Sequence, residues 1–292
     1  IMNQDGSSSF KISWIVPIIL FPVFGALFYL YLKLQTTVKK MRHRIDEEVV
    51  CSRNCMQQDP AFLAEARKKD ERLYGISRYL YETGGFPSYD NTSMEFYPMG
   101  EDYFPSLIAE LRKAKKFIFM EFFIVAKGKV WDEVLEVLKE KAKEGVEIRF
   151  MYDGMNAIKN LPFNYDKELQ SYGIDTKIFS PVVPALASYQ NNRDHRKICV
   201  IDGHTAFTGG INLADEYANI KERFGVWKDI GAMFKGAAVN SFTMLFIQMW
   251  NGNYREGKQE KNRLDYRKYR FSANPDCCDD RHPREGFVIP YG

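Results

Sequence analysis

A run of 21 residues without a charge, 12–32, most constrains what this chain can form. As a helix rising about 1.5 Å per residue, it would reach roughly 30 Å, the thickness of a bilayer core. Trp14 lies near one end, where interfacial aromatic residues are common. A signal peptide and a buried core helix are the alternatives, but the run is long for a signal peptide, and membrane helices tolerate residues such as Pro17 and Pro22. The sequence predicts one transmembrane helix over 12–32, after an N-terminal segment, 1–11.

Basic residues are concentrated on the C-terminal side of this run. Segment 33–44 holds six Lys, Arg and His residues, whereas only Lys11 precedes the run. The positive-inside rule therefore places the C-terminal side in the cytoplasm, and the same cations would attract anionic lipid headgroups. An ordinary solvated helix face is the alternative. We interpret 33–93 as a basic juxtamembrane and helical connector, with an amphipathic helix over 61–80.

Apolar segments in 94–252 alternate between helical and strand patterns. The predicted helices are 104–114, 131–142, 165–172, 213–217 and 237–250, and the predicted strands are 117–125, 146–152, 176–179, 197–202 and 205–208. Asp202 and Gly203 fall between the last two strands and predict a hairpin. Helices that alternate with strands apolar on both faces indicate an α/β sandwich.

A histidine and a lysine two residues apart are the first chemical signal. His195 and Lys197 lie on a predicted strand, so both side chains leave the same face, with α-carbons about 6.6 Å apart. An imidazole beside an ammonium is unusual for packing but suits a phosphate group. The lysine supplies a point charge, and the histidine can act as nucleophile, base or acid near neutral pH.

Several further residues are ambiguous when taken singly. Asp202 is a turn residue, and Gly209 and Gly210 fit either a tight turn or a close approach of backbone to a ligand. Asn212 fits the N-cap of the short predicted helix, a position that also binds phosphate oxygens. Glu121 interrupts an apolar strand, which predicts either a buried salt bridge or a functional site.

Taken together, residues 195–212 read H-x-K-x4-D-x6-G-G-x-N, which resembles the catalytic signature of the phospholipase D superfamily. Most of the chain resembles bacterial cardiolipin synthases of the two-motif type, in stretches that include YPMGEDYFPSL, KFIFMEFFI, VEIRFMYDGM, KERFGVWKDIG and FIQMWN. The resemblance implies a phospholipase D-like mixed-sheet α/β sandwich half in 94–252, preceded by one transmembrane helix.

The resemblance also implies a reaction. A phosphatidyl group would move from one phosphatidylglycerol to another through a phosphohistidine, giving cardiolipin and glycerol, without a metal or other cofactor. His195 would be the nucleophile or its acid/base partner. Lys197 and Asn212 would hold the phosphate oxygens, whereas Asp202 belongs to the catalytic motif in a mainly structural role.

Four more residues carry roles from the same resemblance. Gly209 and Gly210 would shape the phosphate pocket, and Glu121 would line the site. Asp229, about thirty residues beyond the histidine, would orient the imidazole; a surface carboxylate is the alternative.

A second copy of the motif is expected in two-motif members, yet no other histidine of this sequence is followed by x-Lys. We therefore expect a fragment, with 253–292 as a linker and the start of a truncated second domain. The expected partners are phosphatidylglycerol and other anionic membrane lipids, together with the missing second half or a second copy of the chain. The expected location is the bacterial cell membrane, with the catalytic domain on the cytoplasmic side.

Two other functions stay open. One is a membrane-tethered single-motif phosphodiesterase, a phospholipase or a nuclease, active as a homodimer. The other is a lipid-binding scaffold without activity, which the intact motif argues against. The chain has 41 Lys and Arg against 38 Asp and Glu, so its total charge gives no sign of nucleic-acid binding, and no nucleic-acid partner is expected.

Overall fold

The computed structural model of the protein describes residues 8–33, 37–53, 55–180, 193–253, 263–266 and 268–269. The helices in these ranges are α1 (Ser8–Leu20), α2 (Pro22–Lys33), α3 (Thr37–Arg53), α4 (Pro60–Lys69), α5 (Glu71–Tyr79), α6 (Gly100–Leu111), α7 (Lys129–Lys143), α8 (Gly154–Asn160), α9 (Tyr165–Ser171) and α10 (Val239–Gly252). The strands are β1 (Thr92–Tyr97), β2 (Phe117–Phe122), β3 (Glu147–Asp153), β4 (Ile174–Phe179), β5 (Lys197–Ile201), β6 (Thr205–Gly209) and β7 (Gly231–Gly236).

All seven strands form one mixed sheet in the order β1-β7-β6-β5-β2-β3-β4. Strands β2, β3 and β4 are parallel, whereas β5, β6, β7 and β1 join them through antiparallel pairs. The parallel strands are connected through α7 and through the α8–α9 segment, as crossover connections require. The predicted α/β sandwich with a mixed sheet is therefore confirmed.

Helices cover both faces of the sheet. Alternate residues of β2 show this, because Ile118 and Met120 pack in the core beneath α6 and α7, whereas Phe117 and Phe119 pack in the core beneath α10. The first core is built around the buried Trp131 of α7. Apolar burial on both faces explains why β2 and β5 carry only one charged residue each.

Two segments outside 94–252 also pack on the α10 face. The Ser52 hydroxyl of α3 accepts a 2.6 Å hydrogen bond from the Gln248 amide of α10. Leu264 is buried there, and its backbone N–H donates to Asn251 at 2.8 Å. Parts of the regions interpreted as connector and linker thus complete this core.

The single helix expected over 12–32 is not what the structure shows. The segment forms two helices that meet at Phe21, because Pro22 has no N–H to donate to the preceding turn and its ring clashes with the carbonyl four residues earlier. A Cβ on Gly25 would lie 2.8 Å from Ile18 Cα, although residues seven apart in a straight helix are about 10.5 Å apart. The bend is therefore sharp. Within the described ranges, the structure contains no helix with the length and apolarity needed to cross a membrane.

Two other predicted helices differ in detail. The helix expected over 61–80 is interrupted at Asp70, which ends α4 and caps α5 through its carboxylate. The helix expected at 213–217 is a 3-10 turn, Asp215–Ala218, and Asn212 is not its N-cap. Leu213 instead forms a parallel bridge with Val125, which keeps the chain extended up to the turn.

Candidate active site

The candidate site lies at one edge of the sheet, where β2 and β3 end and β5 begins. The register pairs Phe122, at the end of β2, with Lys197, at the start of β5. The end of β6 and the beginning of β7 meet at the same edge, because Gly209 pairs with Gly231. Segments from five strands therefore surround the residues of the H-x-K motif.

The motif histidine and lysine lie together at this edge. Lys197 Nζ is 3.2 Å from His195 Nδ1 and donates a 2.6 Å hydrogen bond to the His195 carbonyl. The Phe123 ring contacts both side chains, with its centroid 4.4 Å from the imidazole and 5.1 Å from the ammonium. His195 is exposed and Lys197 is buried, so the imidazole faces solvent with a fixed cation behind it.

Burial makes the charge on Lys197 costly. It lowers the pKa of Lys197 to about 8, although the negative charges of Asp229 and Asp194 act in the opposite direction. Phosphate oxygens would replace the water that the ammonium loses on burial. The desolvated Lys197 is therefore suited to bind an anionic ligand.

Glu121 lies on the other face of the strand. It pairs in register with Ile198, which belongs to the α10 core, and its Oε1 is 2.8 Å from Arg196 Nη2. Arg196 also pairs with Asp194, with 3.0 Å between Nε and Oδ1. His195 and Lys197 thus point to one side of the chain, while Asp194 and Arg196 join Glu121 on the other.

The two carboxyl groups of this buried cluster have opposite pKa shifts. Burial, followed by the negative charge of Asp194, raises the pKa of Glu121 well above its usual range. Burial alone would also raise the pKa of Asp194, but a hydrogen bond from Glu121 and the Arg196 guanidinium hold it below the ordinary value. Burial thus favours the neutral form of Glu121, whereas the Arg196 guanidinium favours the ionised form of Asp194.

The Asn212 side chain connects three segments of the site edge. Its Oδ1 accepts a 2.8 Å hydrogen bond from the Ile124 N–H, and its Nδ2 donates to the Tyr217 hydroxyl at 2.8 Å. Asn212 is 2 % exposed, so the structure gives it a positioning role in the loop that follows β2.

Gly209 and Gly210 let the chain pass very close to its neighbours. A Cβ on Gly209 would lie 2.3 Å from the Ile230 carbonyl oxygen, and a Cβ on Gly210 would lie 2.0 Å from Asp229 Oδ1. Both distances are far below contact distance. The glycine pair therefore allows Asp229 to sit against the backbone at the site edge, where its charge acts on Lys197.

Asp202 lies at the opposite end of β5. Its carboxylate accepts three hydrogen bonds, from the N–H groups of Lys115, Lys116 and Phe117, at 2.8, 2.7 and 2.9 Å. Asp202 is five positions beyond Lys197 along the strand, which corresponds to about 16 Å. The structure therefore holds Asp202 in the β5–β6 hairpin, away from the other motif side chains.

The structure thus brings His195, Lys197 and Asp229 to one edge, with Asn212 beneath them. Sequence reasoning did not identify Asp194, Arg196 or Tyr217. The alternation of charged residues over 193–197 could have identified Asp194 and Arg196. They alternate with His195 and Lys197, so they lie on the face of the β2–β5 pair that also holds Glu121. Within the described ranges, no group of three or more His, Cys, Asp and Glu residues is arranged to hold a metal ion.

Comparisons with known proteins show which families this chain is similar to. Residues 107–250 match the family model described as "Cardiolipin synthase, PLD-like domain", and residues 1–33 match "Phospholipase_D-nuclease N-terminal". A cardiolipin synthase of Geobacillus kaustophilus is 34% identical over 82% of this chain and 48% of its own length. An uncharacterized protein of Streptococcus mutans is 41% identical over 100% of this chain and 60% of its own.

Among solved structures, NucT from Helicobacter pylori aligns with a TM-score of 0.42 and 14% identity, covering 55% of this chain and 97% of that one. The chain spans about half the length of the cardiolipin synthases that it matches.

Proposed function

The chain belongs, through residues 107–250, to the family of cardiolipin synthase phospholipase D-like domains, and from that membership we propose that it takes part in phosphatidyl transfer between two phosphatidylglycerol molecules. The products would be cardiolipin and glycerol. The observation that carries the proposal is the exposed imidazole of His195 backed by the buried ammonium of Lys197, 3.2 Å away.

The first half of the reaction forms a phosphohistidine. Nε2 of His195 attacks the phosphorus, and the bond from phosphorus to the glycerol headgroup oxygen breaks. The departing glycerol oxygen takes a proton from an acid, and Lys197 stabilises the charge on the phosphoryl oxygens.

The second half reverses these steps. The hydroxyl of another phosphatidylglycerol attacks the phosphohistidine, loses its proton to the base that supplied one earlier, and displaces His195. The acid/base group comes from a second catalytic half or from a second copy of the chain.

Lys197 also sets the starting state of the imidazole. An ammonium only donates hydrogen bonds, so Nδ1 accepts at 3.2 Å and a neutral ring carries its proton on Nε2. Attack through Nε2 requires the proton on Nδ1 instead. Lys197 therefore turns from His195 to the phosphate when substrate binds. Asp229, whose charge already acts on Lys197, is the carboxylate that then accepts a hydrogen bond from His195 Nδ1.

The N-terminal helices attach the chain to the bacterial membrane, with the catalytic domain on the cytoplasmic side. The match of residues 1–33 to a phospholipase D N-terminal family supports this attachment. Large apolar side chains of the segment are exposed to a high degree, including Ile19 at 70% and Val23 at 75%. The cationic segment 33–44 supports the cytoplasmic orientation.

The test is a transfer assay with radiolabelled phosphatidylglycerol in mixed micelles. The chain is assayed alone and together with the C-terminal half of the Geobacillus kaustophilus relative. We expect cardiolipin and glycerol in equal amounts, and an acid-labile phosphoenzyme when the reaction is quenched early.

The matched variants are His195→Ala and His204→Ala. His195→Ala should abolish both the product and the phosphoenzyme, whereas His204→Ala, in the exposed β5–β6 hairpin, should retain both. Transfer that persists in His195→Ala would contradict the proposal. Phosphatidic acid as the main product would instead favour a phospholipase.

A further inference from the structure

Exposed apolar side chains are concentrated at the edge of the sheet that holds His195. Within the described part of 92–252, ten large apolar residues are exposed, and seven of them lie in α8 or in the loops at this edge. These seven are Met155, Ile158, Phe163, Ile220, Phe224, Val226 and Ile230. The most protruding ones are Phe163, 94% exposed, Val226, 83% exposed, and Phe224, 79% exposed.

The segment 220–226, called here the apolar loop, is held rigidly at its base. Asn219 Oδ1 accepts from the Trp227 N–H at 2.7 Å, and Asn219 Nδ2 donates to the Trp227 carbonyl at 3.0 Å. The same amide group donates to Glu101 of α6 at 2.8 Å. Because both ends are fastened by one side chain, the exposure of Phe224 and Val226 is built into the fold.

The base of the apolar loop is connected to the catalytic edge. The Trp227 ring packs on Tyr217, with 5.3 Å between centroids, and the Tyr217 hydroxyl binds the Asn212 amide. Asp229, which lies against Gly210, follows two residues after Trp227. The base of the apolar loop is thus linked to the edge that holds His195.

Charges around the apolar loop favour an anionic partner. Lys221, Arg223 and Lys228 are exposed beside Phe224 and Val226, with Glu222 as the exposed acid among them. Arg223 also forms an ion pair with Glu216 at 3.2 Å, so Lys221 and Lys228 are the main cations offered to a partner. Apolar side chains flanked by cations, with a tryptophan behind them, are typical of segments that bind at a membrane interface. A loop tip of two residues also offers far less contact area than the roughly 800 Å² that each partner buries in a stable protein interface.

We propose that the apolar loop inserts Phe224 and Val226 into an anionic phospholipid surface and so sets the catalytic edge at headgroup level. The inference rests on the proposed action on phospholipid, since that action requires the lipid phosphate to reach His195. The insertion depth for such segments is about 5–10 Å, which leaves Lys221, Arg223 and Lys228 among the headgroup phosphates.

The test uses the full chain with His195→Ala, so that turnover has no influence. Val226→Trp and, as the matched control, Met94→Trp are placed in phosphatidylglycerol vesicles whose acyl chains carry bromine, a quencher of tryptophan fluorescence. Met94 is 62% exposed on β1, away from the site edge. After subtraction of the signal from the native tryptophans, we expect Val226→Trp to be quenched about twofold more than Met94→Trp.

Equal quenching at the two positions would overturn the proposal. A second result would also overturn it: Val226→Trp is not quenched by bromine, and Val226→Cys forms disulfide-linked dimers. Those two observations would make the apolar loop a contact between chains. Quenching at Val226→Trp, together with no transfer by the chain with intact His195 and any added second half, would overturn the proposed function and leave the membrane contact standing.

Discussion

The Lys197 ammonium lies 3.2 Å from Nδ1 of His195 and 2.6 Å from the carbonyl oxygen of the same residue. This contact holds the imidazole of an exposed histidine in place. In the absence of a bound anion, the Lys197 ammonium lies beside the imidazole ring. The pH dependence of the site should therefore follow Lys197.

Lys197→Met should reduce transfer and stabilise the fold. Loss of one cation at the phosphate lowers kcat/KM by about 10²–10³. Because the pKa of Lys197 falls from 10.5 in the unfolded chain to about 8 in the folded one, burial of the charged form costs stability at pH 7. Lys197→Met should then raise the free energy of unfolding by about 1–2 kcal/mol, measured by urea denaturation.

The sign of the pH effect is a further check on Lys197. Between pH 8 and 10.5 the unfolded wild-type chain binds more protons than the folded chain, so wild-type stability rises with pH in this window. The advantage of Lys197→Met should shrink there. In the active assembly, kcat/KM of the wild type should fall above about pH 8, and Lys197→Arg should remove that decline. A wild-type decline that persists in Lys197→Arg would contradict the assignment.

Glu121→Gln should be nearly silent in activity at neutral pH and should not destabilise the fold. The raised pKa of Glu121 favours its neutral form, and a glutamine amide is likewise neutral and can donate toward Asp194. Glu121→Ala removes the donor and leaves Asp194 with Arg196 alone, at a cost of about 1–3 kcal/mol. Chemical denaturation at pH 7 compares the two variants, and equal losses would show that the carboxyl is ionised.

A pH series separates these two states of Glu121 further. A raised folded pKa means that the folded wild type holds a proton which the unfolded chain releases above about pH 4.5, the ordinary value. The contribution of Glu121 to the wild-type free energy of unfolding is full below that pH. It declines as the pH rises toward the folded pKa of Glu121. Glu121→Gln should therefore gain relative to the wild type as pH rises.

The central strands and their helices were predictable because each carries a strong periodic pattern. Phe117–Phe122 is buried on both faces, and Lys129–Lys143 has apolar residues at helical spacing, so tertiary packing and local pattern agree. Strand β1 was missed because four of its six residues are exposed. Strand β7 was missed because two glycines bound a short, half-exposed segment.

The site was predictable only in part, for a physical reason. The two-residue spacing of His195 and Lys197 fixes a shared face from local geometry alone. Glu121 and Asn212 depend on partners from distant segments, the Arg196 side chain and the Ile124 backbone N–H, which spacing does not reveal. The bend at Phe21 depends on the close approach of Gly25 to Ile18, which hydropathy does not report.

Asp202→Ala should lower stability while leaving chemistry intact. The variant leaves the N–H groups of Lys115, Lys116 and Phe117 without their acceptor, which costs about 1–3 kcal/mol. At a separation of about 16 Å, kcat/KM should change by less than about threefold below the melting range. Asp202→Asn should lose less stability because its amide oxygen still accepts. A large loss of kcat/KM with unchanged stability would assign Asp202 a direct catalytic role.

Gly210→Ala should impair the site by moving Asp229. The added methyl group would lie 2.0 Å from Asp229 Oδ1, so the carboxylate must shift and its charge moves relative to Lys197. We expect kcat/KM to fall about tenfold, with Gly75→Ala, where a Cβ meets nothing within 4 Å, as the control. If the effect passes through the carboxylate, Gly210→Ala should add little in an Asp229→Ala background, as a double-mutant cycle would measure. Fully additive losses would mean that the methyl group obstructs substrate directly.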